Sequence, residues 1–536
     1  MKPVIFFILF AVIGLGCESP RSNRAMLVSN PTLGGQFDIP KIDLSEGDSF
    51  GEGWKMIDAD TTGGLEVDII DFREFQLVNL PHRILKPNEP IWYQKKIKIE
   101  KKGVLNISAD DGAQVWANEE RCQHLEGNFF RIDPKQDSTT LTIRVMNNAM
   151  QGGLRKVTFI PEEDWEEYVQ ENDSLHQHHF STSIFVTDPI WQKSGDGNFM
   201  RWISENAENA EIQWGYDSTQ IDQVIKVSSE SNIFQAEFPS VEKRIYYQIE
   251  QGNTISRSFT KPYQPSNDTT TFAAWGDSQG GWKIFQQLIE QMNEHQPSFS
   301  VGAGDLVSHG HDEYGYQLLI QSLSAANFHH YLIPGNHDYD GFYEDLNPDH
   351  YFAYLGLPDQ KQYFSWQEGH CAFIALDPNM TFPISIESDQ LDWFKEQLEL
   401  PFWREASWRF LVLHQPPLSQ GWPGYHGEEK IYELLLPHFE NGEIDVVIAG
   451  HSHDYERVIK DFDGNKVAFI VTGGGGGGIE PSGLSDWPVM DTVIKQHHFG
   501  IFKATENELL FKAYNLEKEL MDRVKLDRKL IGIKPT

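Results

Sequence analysis

The chain has 536 residues, of which 39% are hydrophobic and 15 are Trp, so it contains enough apolar material for several separate cores. Its 79 acidic and 44 basic residues give a net charge of −35 at pH 7. A balance this acidic argues against nucleic-acid binding, or binding to an anionic membrane, driven by bulk charge, so a phosphate-bearing ligand would have to be attracted locally.

The N-terminus has the pattern of an export signal. Lys2 precedes an apolar stretch, residues 4–15, that is too short to span a bilayer as a mature helix. The stretch ends at Gly14-Leu15-Gly16-Cys17, which resembles a bacterial lipoprotein signal, although Leu stands one position later than in that pattern. The resemblance implies that residues 1–17 are a signal segment and that Cys17 is lipidated. The protein would then be exported and anchored facing the periplasm or the cell surface, and export without a lipid is the alternative.

Residues 45–160 are predicted to form an antiparallel β-sandwich. Alternating polar and apolar runs, such as 95–99 and 104–107, are bounded by polar turns. The segments 110–116 and 144–148 resemble parts of the galactose-binding jelly-roll modules found beside many secreted hydrolases. That resemblance implies attachment to a glycan, and the alternative is a spacer that packs on its neighbours.

Two further segments precede the chemistry-bearing part of the chain. Residues 161–177 are acidic around Trp165 and predict a short linking helix. Residues 178–264 predict a second small β unit, with strand-like runs at 199–202, 210–216 and 244–249. The runs resemble the fibronectin-III-like domain that precedes the catalytic domain of purple acid phosphatases. Packing and spacing are the roles expected of such a unit.

Five short motifs, each after an apolar run, lie within residues 271–515. They are Gly276-Asp277, Gly304-Asp305, Gly335-Asn336-His337-Asp338, His414 and Gly450-His451-Ser452-His453. The apolar runs predict buried strands, so the polar side chains are expected together at the carboxyl edge of a sheet. Carboxylate, amide and imidazole groups in this number suit two divalent cations about 3.5–4 Å apart. The sequence therefore predicts a two-metal phosphoesterase site.

These motifs resemble those of the calcineurin-like metallophosphoesterases, and residues 450–457 resemble the purple acid phosphatase branch in particular. The resemblance implies an α/β domain with two sheets flanked by helices. It also implies two metal ions with six ligands, namely Asp277, Asp305, Asn336, His414, His451 and His453. Asp305 would bridge the metals. Asp277 and His453 would bind the first metal, and the other three ligands would bind the second.

The resemblance also suggests which side chains act on the substrate. His337 would donate a proton to the leaving oxygen or stabilise the transition state, and His426 would face the substrate. Two positions depart from the family pattern. Ser308 replaces the Tyr that gives purple enzymes their colour, so this protein is not expected to be purple. Gln279 stands where other branches place a His, so Gln279 or water would complete the first site, and Fe, Mn and Zn all stay open.

The predicted function is an exported, lipid-anchored phosphoesterase that hydrolyses phosphate monoesters by attack of a metal-bound hydroxide. Two alternatives stay open. One is a phosphodiesterase that uses the same site. The other is a glycan-binding lipoprotein whose phosphoesterase domain is inactive.

Other features of the segment have structural interpretations. Asp338 and Asp454 are expected to orient neighbouring histidines. Cys122 and Cys371 are expected to be buried and unpaired. The six glycines from Gly473 lack the Lys of a phosphate-binding loop, so they predict a turn with close backbone approach to the metal edge.

Overall fold

A computed structural model describes residue 44 and residues 47–528, except 59–66, 85–87, 110–111, 126, 137, 148–151, 181–185, 195–196, 205–207, 240–242, 253, 257–258, 262–267, 344–346, 358–359, 480–482 and 488. Cys17 and the predicted signal segment 1–17 lie outside the described residues. In the described part of the chain, no helix has both the length and the apolar character needed to cross a membrane.

The N-terminal part folds into two antiparallel sheets that share one core. The larger sheet has six strands, in the spatial order Gln76–Val78, Trp54–Ile57, Ile91–Ile97, Thr139–Val145, Ala113–Ala117 and Glu120–Arg121. The smaller sheet has four, in the order Leu154–Pro161, Gly103–Ala109, Phe129–Ile132 and Gln123–His124. Side chains from both sheets, including Trp54, Leu105 and Val157, are buried together. We call this part the N-terminal two-sheet unit.

A helix, Glu162–Phe180, follows the N-terminal two-sheet unit directly. Its first turn carries three acidic residues, which interact favourably with the positive end of the helix dipole. Trp165 is 5% exposed, packs with Val104 and Ile160, and its ring lies 4.6 Å from that of Phe129. The segment predicted as a short linking helix is therefore longer, and it is docked on the unit that precedes it.

The rest of the fold is built on two large sheets packed face to face. One has nine strands, in the order Ile233–Phe238, Gly197–Ile203, Ile190–Ser194, His329–Ile333, Phe299–Ala303, Thr270–Trp275, His498–Ala504, Glu508–Asn515 and Leu520–Asp527. The other has seven, in the order Phe364–Glu368, Cys371–Ala375, Trp408–Val412, Val446–Ala449, Asn465–Thr472, Tyr455–Phe462 and Thr492–Ile494. Phe272, Phe373 and Phe410 meet in the core between these sheets.

Helices cover the outer faces of both large sheets. Trp282–Glu294 and Glu313–Leu323 pack on the nine-stranded sheet. The seven-stranded sheet is covered by Ser388–Glu399, Pro401–Arg404 and Glu429–Glu440. The connections hold shorter elements, namely Asn336–Asp338, Asp340–Tyr343, Asp349–Leu355 and Pro378–Met380. The prediction of an α/β domain with two sheets flanked by helices is confirmed. Cys122 and Cys371 are both buried, as expected.

All five apolar runs that precede the motifs form strands. Three of them, Thr270–Trp275, Phe299–Ala303 and His329–Ile333, are adjacent and parallel. The other two, Trp408–Val412 and Val446–Ala449, are adjacent and parallel in the second sheet. The parts of these strands nearest the motifs are apolar because both faces of the sheet are covered there. Their parallel direction places the residues that follow each strand at the same edge of its sheet.

The second β unit shares a sheet with the segment that carries the five motifs. Its strand Ile190–Ser194 joins the nine-stranded sheet through a parallel pairing of Gln192 with His330, and its strands Gly197–Ile203 and Ile233–Phe238 extend that sheet to its edge. The other strands of the unit form a separate antiparallel sheet, Gln223–Ser228, Asn209–Gly215, Ile245–Gln251, Thr254–Ile255 and Phe259–Lys261. Trp202 and Trp214 are buried between the two sheets. The division predicted near residue 264 therefore does not interrupt the backbone hydrogen bonding of the nine-stranded sheet.

An ion pair also joins the second β unit to the segment that carries the five motifs. Lys193 Nζ lies 2.6 Å from Oε1 of Glu368, which also accepts a hydrogen bond of 2.9 Å from the Tyr331 hydroxyl. The Glu368 side chain is 17% exposed. Burial raises the pKa of Glu368, but hydrogen bonding and charge from His329 and Lys193 outweigh burial and lower the pKa from 4.5 to about 2.

Glu368 is therefore expected to add stability at neutral pH that acid removes. Because its folded pKa is below its unfolded value, the contribution is complete above about pH 4.5 and is lost as the pH falls toward 2, a difference of about 2–3 kcal/mol. Glu368→Gln should lower the free energy of unfolding at pH 7, and the gap to wild type should narrow at pH 3. Chemical unfolding at a series of pH values measures this gap. Glu120→Gln, which changes an exposed ion pair with Lys135, is the control with little effect. A gap that stays constant with pH would contradict the role of this carboxylate.

Candidate metal centre

Three of the predicted ligands have an unusual backbone conformation. The φ angles of Asp277, Asp305 and His451 are 60°, 51° and 70°, in the left-handed region that residues with a Cβ rarely adopt. Such strain persists only where the surrounding structure holds it, and it is concentrated at functional sites. The turns after three different strands therefore share a left-handed backbone conformation that local sequence preference does not explain.

Glycine precedes Asp305 and His451 because the backbone there passes directly beside other predicted ligand side chains. A Cβ on Gly304 would lie 2.5 Å from Nδ1 of His414, and Gly304 has a φ of 87°. A Cβ on Gly450 would lie 2.5 Å from Oδ2 of Asp277. Only glycine fits such approaches. The Gly-Asp and Gly-His pairs of the sequence are thus a requirement of close packing.

The predicted ligands converge in two groups. Asp305, His414 and His451 place ligand atoms within 4.8 Å of one another, and so do Asp277, Asp305 and His453. Asp305 belongs to both groups. The sixth predicted ligand, Asn336, is 2% exposed. The next residue along the chain contacts the cluster, since the His337 backbone N–H donates to Oδ1 of Asp305 at 3.0 Å.

Backbone carbonyls orient two of the histidines. Nδ1 of His414 lies 2.8 Å from the Ala303 carbonyl, and Nδ1 of His453 lies 2.9 Å from the Gly478 carbonyl. Each contact at Nδ1 directs the opposite ring nitrogen, Nε2, at the carboxylates of the cluster, as metal-binding histidines require. These Nε2 atoms lie 3.1 Å from Asp305 and 3.5 Å from Asp277 respectively. Nε2 of His451 is buried and has no hydrogen-bond partner among the described residues. A buried nitrogen of this kind fits a metal ligand.

The charges of the cluster favour a cation. Burial raises the pKa of Asp277. Burial also acts to raise the pKa of Asp305, but the His414 and His337 rings lower it well below its usual range. For His414, burial lowers the pKa, yet Asp305 and Asp277 outweigh it and raise the value to about 9. Two buried carboxylates thus attract positive charge at this point, which a metal ion would supply.

His337 and Gln279 both lie against Asp305. The His337 ring is 25% exposed, with Nδ1 2.9 Å from the Ser308 carbonyl and Nε2 4.0 Å from Oδ2 of Asp305. It therefore faces both the cluster and the solvent. Gln279 donates from Nε2 to Oδ2 of Asp305 at 2.5 Å. The amide nitrogen of Gln279 faces the cluster in this arrangement, so a ligand role would require the amide to turn over.

His426 is exposed and its described contacts lead away from the cluster. Its Nδ1 lies 2.8 Å from the Ser485 hydroxyl, and its ring lies 5.5 Å from that of Trp487. The same loop instead brings two aromatic rings to the ligands, which the sequence analysis did not identify. Trp422 lies 5.4 Å from the His451 ring and 6.1 Å from the His453 ring, and Tyr425 lies 5.8 Å from His451.

The side chain of Asp338 bonds backbone N–H groups rather than a histidine. Its carboxylate accepts hydrogen bonds from the backbone N–H groups of Leu306, Val307 and Gly335, at 2.9, 3.1 and 2.7 Å. Burial and the neighbouring Asp305 raise its pKa to about 7. The expectation that Asp338 orients a histidine is wrong, because its bonds join two ligand loops to each other. Asp454 is buried beside Glu456. Burial is the main cause that raises the pKa of Asp454, and the charge of Glu456 raises it further.

The glycine run packs on the first ligand loop, as expected. Gly475 donates its backbone N–H to the Gly276 carbonyl at 2.9 Å, and Gly477 donates to the Asp277 carbonyl at 2.8 Å. The next carbonyl, of Gly478, is the one that orients His453. The run therefore supports two of the predicted ligands, Asp277 and His453.

Comparisons with known proteins agree with this geometry. Residues 270–455 match the family model described as Calcineurin-like phosphoesterase. Purple acid phosphatase 21 of Arabidopsis thaliana is 26% identical over 226 residues, which cover 40% of this chain and 50% of that protein. Purple acid phosphatase 1 of Ipomoea batatas is 31% identical over 70 residues, or 13% of this chain and 15% of that protein. The chain thus spans half or less of the length of these curated relatives.

One solved structure has a similar fold over most of the chain. It is a purple acid phosphatase isolated from yellow lupin (Lupinus luteus) seeds, with a TM-score of 0.55 and 12% sequence identity. The match covers 84% of this chain and 96% of that one. At this identity the likeness concerns the fold alone.

Proposed function

Because the chain carries a calcineurin-like phosphoesterase domain with an Asp and His cluster in it, we propose that it is a dinuclear metal-dependent phosphatase acting on phosphate monoesters. The observation that carries the proposal is the position of Asp305, which is shared by two converging groups of ligand atoms. A carboxylate in that position suits a bridge between two cations. The similarity to purple acid phosphatases supports the same reaction class.

Six side chains of this domain would hold the metals. Asp277 and His453 would hold one, Asn336, His414 and His451 the other, and Asp305 both. A mixed carboxylate, amide and imidazole set suits Fe, Mn or Zn. Bound there, the cations would activate a water molecule for attack on phosphorus and neutralise charge on the phosphoryl group.

The chain itself supplies a side chain that can move a proton. His337 is partly exposed beside the cluster, and the Ser308 carbonyl holds its Nδ1, so Nε2 is the atom directed at the reaction. We assign to it protonation of the leaving oxygen, or stabilisation of the transition state through charge on the phosphoryl group. Trp422 and Tyr425 cover the rings of the ligand histidines, which limits water access from that side.

Location and the N-terminal unit complete the proposal. Export with lipid attachment at Cys17 is supported by the sequence pattern and concerns residues outside those described. Glycan binding by the N-terminal two-sheet unit is supported by a cleft of about 750 Å³ on it. Its lining includes Trp116, Arg73 and Asp71, and an aromatic ring among polar groups suits a sugar. The role of His426 as a substrate-facing residue is kept as part of the proposal, although its described contacts lie elsewhere.

Metal removal and reloading test the reaction. The chain without residues 1–17 is stripped of metal and reloaded with Mn, Zn or Fe, and hydrolysis of an aryl phosphate monoester is compared with that of the matching diester. We expect no turnover by the stripped protein and recovery with at least one metal, with the monoester hydrolysed faster. Faster hydrolysis of the diester would favour the phosphodiesterase alternative. A folded protein that turns over neither ester with any metal would overturn the proposal and favour the glycan-binding alternative.

A further inference from the structure

The N-terminal two-sheet unit touches the loops of the candidate metal centre at two places. At the first, Asn88 accepts a hydrogen bond of 3.2 Å from the backbone N–H of Ile384 and donates from Nδ2 to Glu428. At the second, the Gly127 backbone N–H donates to Nε2 of His311 at 3.1 Å. Both contacts join residues that are far apart in the sequence, so they depend on the docked arrangement of the whole chain.

The Asn88 contact continues inward to a predicted metal ligand. Glu428 is 3% exposed, and its Oε1 accepts a hydrogen bond of 2.9 Å from the Tyr425 hydroxyl. Tyr425 is fully buried, with its ring 5.8 Å from that of His451. Asn88, Glu428 and Tyr425 thus form a continuous path from the N-terminal two-sheet unit to the cluster.

The position of Glu428 depends on such partners. A buried carboxylate needs donors around it, because an unsatisfied one is costly to bury. The Glu428 backbone N–H bonds the Pro416 carbonyl at 2.9 Å, which ties this residue to the segment just after His414. A shift of Glu428 would therefore move the Tyr425 ring that packs on His451, as well as the loop that carries His414.

The His311 contact braces the loop that follows Asp305. Nδ1 of His311 lies 3.0 Å from the Asp340 carbonyl, and its Nε2 accepts the hydrogen bond from Gly127. The His311 ring therefore links the loop after Asp305 both to Asp340 and to the N-terminal two-sheet unit. The His124 ring of the unit also lies 6.5 Å from the His311 ring. The same loop includes Ser308, whose carbonyl orients His337.

We propose that the N-terminal two-sheet unit completes the phosphoesterase site, and that Asn88 is a positioning residue that holds Glu428 and, through it, Tyr425 against His451. The proposal rests on the proposed function in one respect, which is that His451 binds a metal. Residues that orient metal ligands affect metal affinity about 10–100-fold. Asn88 acts on the ligand through Glu428 and Tyr425, so its loss should weaken metal binding by about 10-fold, at the lower end of that range.

The test exploits the backbone of Asn88, whose φ is 56°. Asn88→Gly removes the side chain without backbone strain, because glycine adopts this conformation freely. Asn118→Gly is the matched control, since Asn118 has a φ of 48° in the same unit and its side chain bonds the Thr140 backbone N–H at 2.8 Å, within that unit. Metal-free full-length protein is titrated with Zn²⁺ by calorimetry, and thermal unfolding is measured alongside.

We expect Asn88→Gly to bind Zn²⁺ about 10-fold more weakly than wild type, and Asn118→Gly to bind it as wild type does. Turnover of an aryl phosphate by Asn88→Gly should recover at saturating metal. Tyr425→Phe removes the hydroxyl that bonds Glu428 on the side of the metal cluster. This variant should weaken Zn²⁺ binding by a similar factor, and it tests the proposal if Asn88→Gly does not fold.

Two results separate this proposal from the proposed function. Wild-type Zn²⁺ affinity in folded Asn88→Gly, or an equal loss in both glycine variants, would overturn the positioning role. Weaker binding in Asn88→Gly alone, in a protein that never turns over a phosphate ester, would support the positioning role while the proposed activity fails.

Discussion

Asp305→Asn is expected to lower turnover of a phosphate monoester by about 10³-fold or more. Asp305 is the one side chain shared by both converging groups of ligand atoms, so its charge would contribute to holding both cations. Loss of a residue that merely orients a ligand costs about 10–100-fold, and loss of the shared ligand itself should cost more. Its carboxylate is also the group that most raises the pKa of His414. Without the Asp305 carboxylate, the cluster has less negative charge with which to attract cations.

Asn is chosen because it removes the charge and keeps the shape. Its amide oxygen can still accept the hydrogen bond from the His337 backbone N–H, so the loop should keep its place. The measurements are kcat/KM with the reloaded enzyme and metal content per chain by elemental analysis, which should fall below two. Asp392→Asn is the control, because Asp392 is 76% exposed on an outer helix of the same domain. Two bound metals and full turnover in Asp305→Asn would show that this carboxylate is not a shared ligand.

The convergence of the motif residues could be predicted because its signals are local. Asp277, Asp305 and His451 each follow an apolar run after a single glycine, and a run of that kind becomes a strand whose end has one position in the sheet. The contacts that support the ligands are less visible in the sequence. Trp422 and Tyr425 precede His426 in one loop, yet they pack on the predicted ligand His451 while His426 bonds Ser485. The aromatic residues were the better signal, because they can bury a large ring beside a ligand.

Contacts between distant segments could not be predicted from one sequence. Gln192 pairs with His330 across units that were predicted to be separate, and local alternation does not specify which strand becomes a neighbour. Asn88 reads as a turn residue, and no pattern links it to Glu428, 340 positions later. The partners of Asp338 could not be predicted either, since its three backbone N–H donors come together only when two separate loops have folded. Apolar runs therefore predicted the strands, and the resemblance of the motifs implied which side chains meet at their ends, whereas the partners that hold these side chains depend on tertiary packing.

His337→Gln is expected to lower kcat by about 10²-fold for an alkyl phosphate, in the range found for loss of a general acid. The ring lies 4.0 Å from the shared carboxylate but belongs to neither converging group, so metal content should not change. Gln can still donate to the Ser308 carbonyl that holds the His337 ring. The variant therefore tests the imidazole itself rather than the loop that carries it.

The two roles assigned to His337 predict different dependences on the leaving group. If His337 protonates the leaving oxygen, its loss should matter least for esters of acidic phenols, whose oxygen leaves without a proton. If it stabilises charge on the phosphoryl group, the loss should be the same for every ester. Measuring kcat for a series of phosphate esters, in wild type and in His337→Gln, distinguishes these roles by the slope against leaving-group pKa. His370→Gln is the control, because His370 lies at the amino end of strand Cys371–Ala375, away from the ligand loops. Equal kcat in His337→Gln and wild type across the series would exclude both roles, and the reaction would then depend on the metal ligands alone.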